Sequence, residues 1–197
     1  MRNFRPFFAG MGLVAGCMIL ASAQAPATKP PSSAAKPRSS AAKTARPVIR
    51  EPFTLHLKVD KDHYEDFHYG RQPYVSENEV YLFSGDKFGV NLTVRGDRVV
   101  EVRYQPKVAK ADLVFSFEQP KELQNGIAMA LAIDNKINHD VGMDVMGSVP
   151  GKKDTFKDKI TPVKAGKSST EFWPTPIAQL VLGNFKLAQE RTVPVKK

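Results

Sequence analysis

The amino-acid sequence predicts an all-β protein, an antiparallel two-sheet β-sandwich of about eight to ten short strands with an immunoglobulin-like arrangement. Three observations carry that expectation. Short runs from residue 53 onward alternate apolar and polar residues. Turn residues break these runs every roughly 8–12 positions. No long run has the apolar spacing of an amphipathic helix. The immunoglobulin-like label is an analogy at the level of fold and says nothing about activity.

The clearest element is FGVNLTVRGDRVVEVRY, residues 88–104. Phe88, Val90, Leu92 and Val94 alternate with Gly89, Asn91 and Thr93, and Val100, Val102 and Tyr104 alternate with Val99, Glu101 and Arg103. Side chains of a strand point to opposite faces in turn, so each half collects its apolar set on one side. Gly96-Asp97 suits a two-residue hairpin loop, because glycine takes the positive φ required at the first position of a type II′ turn. The hairpin needs a second layer to cover it.

The rest of the chain supplies that layer. Residues 53–59 alternate Phe53, Leu55, Leu57 and Val59 against Thr54, His56 and Lys58, which leaves His56 on the wet face. Residues 80–83 read as a short strand, and Ser84-Gly85-Asp86-Lys87 turns into the central hairpin. Leu113, Phe115 and Phe117 share a face, as do Ile127, Met129, Leu131 and Ile133. Val141, Met143 and Val145 follow after a polar connection that contains His139, which reads as an exposed loop histidine. Residues 147–159 read as a loop. Residues 160–163 contain Pro162 and are therefore expected at a sheet edge. Residues 177–187 could begin as a helix at Thr175-Pro176. Leu180-Val181-Leu182 followed by Gly183 favours a strand with a bulge.

Charge is unevenly distributed. The chain carries +9 overall, but residues 51–190 hold 18 Lys and Arg against all 20 Asp and Glu. The folded part is near neutral and its flanks are basic. A nucleic-acid-binding domain carries its basic patch on the folded surface, so nucleic acid is not an expected partner.

The chain is expected to divide into a signal peptide at 1–25, a disordered linker at 26–50, a β-sandwich at 51–190 and a basic tail at 191–197. Arg2 and Arg5 precede an apolar run that ends in Ala21-Ser22-Ala23 and Ala23-Gln24-Ala25, the form of an export signal with small-x-small cleavage. Val14-Ala15-Gly16-Cys17 resembles a bacterial lipobox, which makes Cys17 a candidate for lipidation. Met18-Ile19-Leu20 continues the apolar run and favours ordinary cleavage. The linker repeats Ser-Ser-Ala-Ala-Lys at residues 32–36 and 39–43 and has no large apolar residue. It cannot offset the entropy of ordering. Its positive charge suits an anionic membrane surface or the cell wall, with a solvated spacer the slightly favoured role.

The most chemically crowded stretch is residues 60–78, DKDHYEDFHYGRQPYVSEN. The simplest expectation is a long polar loop whose aromatics cover the sandwich edge. His63, Tyr64, Asp66, His68, Tyr69 and Tyr74 are its candidate binding residues. Among them, His63, Asp66 and His68 are candidates for a divalent metal, since imidazole and carboxylate both ligate once deprotonated. Aromatics beside carboxylates also suit a glycan groove. Trp173, the chain's only tryptophan, is the remaining binding candidate, with packing into the core the favoured role. Arg95-Gly96-Asp97 spells an adhesion tripeptide, but the turn already accounts for its glycine.

No Gly-x-Ser-x-Gly, no His-Glu-x-x-His and no cysteine beyond Cys17 occurs. The leading expectation is a non-catalytic exported protein, periplasmic or otherwise associated with the envelope, with no cofactor, whose partner is another envelope protein. Glycan or metal binding through 60–78 is the alternative, followed by a hydrolase.

Overall fold

The computed structural model describes residues 47–60, 62–120 and 129–188. The export signal, Cys17, most of the linker and the 191–197 tail lie outside the described residues. Fourteen strands and one 3-10 turn form the described part, and every strand pairing is antiparallel. The strands are β1 (Ile49–Arg50), β2 (Phe53–Lys58), β3 (Tyr64–Tyr69), β4 (Gln72–Pro73), β5 (Val75–Ser76), β6 (Glu79–Leu82), β7 (Asp86–Arg95) and β8 (Arg98–Gln105). The 3-10 turn Val108–Lys110 leads to β9 (Leu113–Glu118), β10 (Met129–Asn135), β11 (Asp140–Ser148), β12 (Thr155–Val163), β13 (Ser168–Trp173) and β14 (Gln179–Ala188). The all-β, antiparallel expectation holds.

Ten strands join in one sheet, β12-β11-β14-β8-β7-β9-β10-β13, with β6 also on β14 and β5 on β6. Its two halves, β5-β6-β14-β11-β12 and β8-β7-β9-β10-β13, are linked in the strand ladder by one residue pair, Lys186 with Arg98. The hairpin β2–β3 and the pair β1–β4 are separate two-stranded sheets. One core joins both halves: Phe115, Phe117, Leu131 and Ile133 from one, Leu82, Val141, Leu180 and Leu182 from the other, and Leu55 and Leu57 from β2.

The central hairpin forms as expected. Gly96 has φ +57 and Asp97 is not among the residues of positive φ, the pattern of a type II′ turn. One detail differs. The pairing slips between Thr93 and Val94, which lie opposite Glu101 and Val99. The extra residue is Val100, and the bulge turns it outward to 39% exposure. Asn78, at φ +65, holds the neighbouring backbone by accepting from Val102 N–H at 2.9 Å.

Four expectations need correction. The linker does not extend to residue 50, because β1 pairs with β4 and Arg50 is buried. Residues 60–78 are not one loop. They contain β3, β4 and β5, with Phe67 and Tyr69 turned toward the core between the outward Asp66 and His68. Residues 147–159 are a loop only at 149–154, since 147–148 end β11 and 155–159 begin β12. The strand count rises above ten mainly through the two-residue strands β1, β4 and β5, too short to leave an alternating pattern in the sequence. Other expectations match. Of residues 177–187, those from 179 on lie in strand β14, after Ile177 and Ala178, and its register slips beside Asn184, which has φ +52. Pro162 lies on β12, at the end of the sheet.

Candidate functional site

Hairpin β2–β3 sorts the sequence candidates. Thr54, His56 and Lys58 stand opposite His68, Asp66 and Tyr64. His56 Nδ1 lies 2.6 Å from Asp66 Oδ1, and His68 Nδ1 lies 2.9 Å from Thr54 Oγ1. The Tyr64 ring stacks on His56 at 4.8 Å and 3°, and Lys58 Nζ approaches it at 5.7 Å. Asp66, His68 and Tyr64 therefore share an exposed face. His63 stands apart in the turn, 3.8 Å from Asp60. His63, Asp66 and His68 do not converge. Among the described residues no three His, Cys, Asp or Glu side chains come together as a metal site.

Tyr69, Tyr74 and Trp173 are taken up in packing. Tyr69 stacks on Phe53 at 5.3 Å, and burial raises its pKa. Trp173 packs partly against the core, 6.3 Å from the ring of Phe156. Tyr74 stacks on Tyr104 at 4.3 Å and forms one wall of a cage that the sequence did not reveal. Its occupant is Arg50, 8% exposed, whose guanidinium carbon lies 4.2 Å from the ring centre of Tyr74, 4.8 Å from Phe83 and 5.7 Å from Phe53. Arg50 Nη1 donates to both Asp86 oxygens at 2.9 and 2.7 Å, and Nη2 donates to the Tyr81 carbonyl at 2.9 Å. Only its buried Nε lacks a partner. The cage is filled by the chain itself, and its role is to fix the start of the fold.

A surface open to another molecule lies on the outer face of β6, β14, β11 and β12. A shallow groove of about 400 Å³ is lined there by residues that include Glu79, Asp144, Met146, Lys157, Val181 and Gly183. Pairing sets its plan. One row across the sheet runs Lys159, Asp144, Gly183, and the next runs Lys157, Met146, Val181, Tyr81. Leu180 and Leu182 point to the core, so strand alternation sends Val181 and Gly183 outward. The missing side chain at Gly183 makes the groove. A Cβ there would stand 3.5 Å from Glu79 Cγ and 3.7 Å from Glu79 Oε1. Glu79 Oε2 accepts from the Tyr81 hydroxyl at 2.9 Å, and Asp144 Oδ2 accepts from Asn184 Nδ2 at 2.6 Å. Burial, reinforced by Glu79, pushes the Tyr81 pKa up to about 12. The groove thus has carboxylates beside Gly183, apolar surface at Val181 and Met146, and lysines on the β12 rim.

Sequence reasoning missed this surface because its residues come from four strands, each with an ordinary polar outer face. The lone Gly183 inside an apolar run was the one available signal. Compared with known proteins, the chain matches no family model, no curated protein and no solved structure.

Proposed function

We propose that the chain is an exported, non-catalytic protein of a bacterial cell envelope, periplasmic or envelope-associated, whose β-domain binds another envelope protein. The observation that carries this reading is the groove over Gly183. It is shallow, built on paired strands, apolar along its floor and charged along its rim. Small-molecule sites tend to be deep and mostly apolar, whereas protein interfaces combine an apolar centre with a polar rim. Export is supported by Arg2, Arg5 and the apolar run that follows them. The basic linker suits a tether near an anionic surface. A two-sheet sandwich is supported by the two five-stranded halves, joined by a single pair and sharing one core. The immunoglobulin-like arrangement has in its favour the antiparallel pairing and the two halves.

The test is photo-crosslinking of the full-length protein in its native host, with the photoreactive residue at position 157 on the groove rim. The expected result is a discrete adduct with one envelope protein, absent when the residue is moved to position 54 on the β2–β3 face. No specific adduct at position 157 would sink the reading. Adducts with wall glycan at position 54 would support a second reading, in which Tyr64, 48% exposed and stacked on His56, is a platform for sugar rings.

A further inference from the structure

The geometry points to the occupant of the Gly183 groove: an arginine or lysine side chain on an extended segment of the partner protein. The inference rests on the interaction reading and adds the chemistry of the contact. A basic side chain has an apolar stem and a charged head, and it buries the one while keeping the other polar. The groove has the same division in the same order. Val181, 8% exposed, and Met146 sit side by side in one row and offer an apolar bed for the stem. One row further along β14, Gly183 leaves an open floor between Asp144 on one neighbouring strand and Glu79 on the side of the other. Glu79 Oε1 lies over that floor, while Oε2 is held by Tyr81. Asn184 likewise steadies Asp144. Both carboxylates are thus positioned before any ligand arrives, and a cationic head between them gains two charge-assisted contacts. Lys157 and Lys159 line the β12 side with Asp158 between them, and this edge, positive on balance, disfavours a second basic residue there. They select a partner segment with an isolated basic residue rather than a basic run.

The test uses the full chain and a defined probe. Amide resonances are followed by NMR while N-acetyl-arginine amide is added, with N-acetyl-citrulline amide as the neutral counterpart of the same shape. Saturable shifts are expected at Val181, Gly183 and Asn184, with the citrulline probe at least tenfold weaker. Glu79→Gln with Asp144→Asn should abolish the response while the spectrum stays dispersed. Gly183→Ala gives a second control. Its Cβ meets Glu79 at an ordinary contact distance, so the domain folds while the floor is filled. Equal response to both probes, or shifts confined to another surface, overturns the proposal. The crosslink from position 157 separates this proposal from the broader reading. A partner adduct that persists in the Glu79→Gln/Asp144→Asn variant overturns the basic-side-chain occupant and leaves the interaction reading standing. Loss of the adduct in that variant supports both. A crosslink to the chain's own basic flank replaces the partner with an internal occupant and overturns the assignment.

Discussion

Arg50 carries a full charge at 8% exposure and is held by one carboxylate, one carbonyl and three aromatic rings. Removing one member of a buried ion pair costs more than the pair contributes, because the other charge stays behind in a poor solvent. Arg50→Met should therefore destabilise the domain by about 3 kcal/mol. Adding Asp86→Asn should recover part of that loss, since Asp86 also accepts from Phe83 N–H and an amide oxygen can keep that bond. Urea unfolding of the two variants, read as midpoints at unchanged slope, checks both expectations. Arg50→Lys should lose less than Arg50→Met, because it keeps a positive charge for Asp86, but an ammonium cannot lie flat on Tyr74 as the guanidinium does. A second prediction concerns pH. Tyr81 has a pKa pushed up to about 12 in the fold, while burial raises those of Tyr69 and Tyr104. The unfolded chain loses its phenolic protons near pH 10, before the folded chain does. The folded state then binds more protons, so its stability is intact below pH 10 and falls as pH rises toward 12. Unfolding measured from pH 9 to 12 tests the sign, and Glu79→Gln should shift the Tyr81 absorbance titration downward. None of this was legible in sequence. Arg50 sits at the end of a basic, proline-rich run and reads as linker, because its partners Asp86 and Tyr81 are more than 30 positions away.

Strands carry their own evidence in the alternation of side chains, which is why the central hairpin, β9, β10 and β14 were legible. Alternation fails where a strand is short or its outer face is crowded with charge. β3 illustrates this. Phe67 and Tyr69 do alternate with Asp66 and His68, but Glu65 and the acidic residues before it hide a period that is only two inward residues long. β12 hides in the same way behind Lys157, Asp158 and Lys159, even though Phe156 and Ile160 turn inward. Phe156 shows what an element-scale contact demands. A Cβ on Gly147 would stand 2.2 Å from its ring, so the ring lies directly on the glycine and then meets Trp173. Gly147→Ala should displace Phe156, cost about 1–3 kcal/mol through overpacking, and change the emission of Trp173. With one tryptophan in the chain, that emission reports the surroundings of Trp173, of which the Phe156 ring is a part. Unchanged fluorescence with unchanged stability would show that the ring moves freely.

At the scale of the molecule, the described residues hold together unequally. Nine strand pairings join the ten-stranded sheet, whereas β2 and β3 pair only with each other. An isolated two-stranded hairpin is marginal in water, so β2–β3 depends on its attachments. Leu55 and Leu57 enter the core, Phe53 and Tyr69 lie against Phe83, and Gln119 grips the end of β2 from both sides of its amide. Gln119 Nε2 donates to the Lys58 carbonyl at 2.8 Å, and Gln119 Oε1 accepts from Lys58 N–H at 2.8 Å, which continues the ladder where no strand lies alongside. Local opening takes the regions with fewest such ties first. Amides of β2 and β3 should therefore exchange with deuterium before those of β7, β9, β10 and β14. Gln119→Ala should speed exchange in the hairpin by roughly tenfold, the equivalent of about 1.4 kcal/mol from two hydrogen bonds, and leave the large sheet unchanged. Equal acceleration in both regions would mean that the hairpin opens only when the whole domain unfolds. The groove over Gly183 lies on the better-tied β6-β14-β11-β12 side, so opening of the hairpin should leave its geometry intact. Binding to the groove should then protect amides of β14 from exchange without altering the rates of β2 and β3.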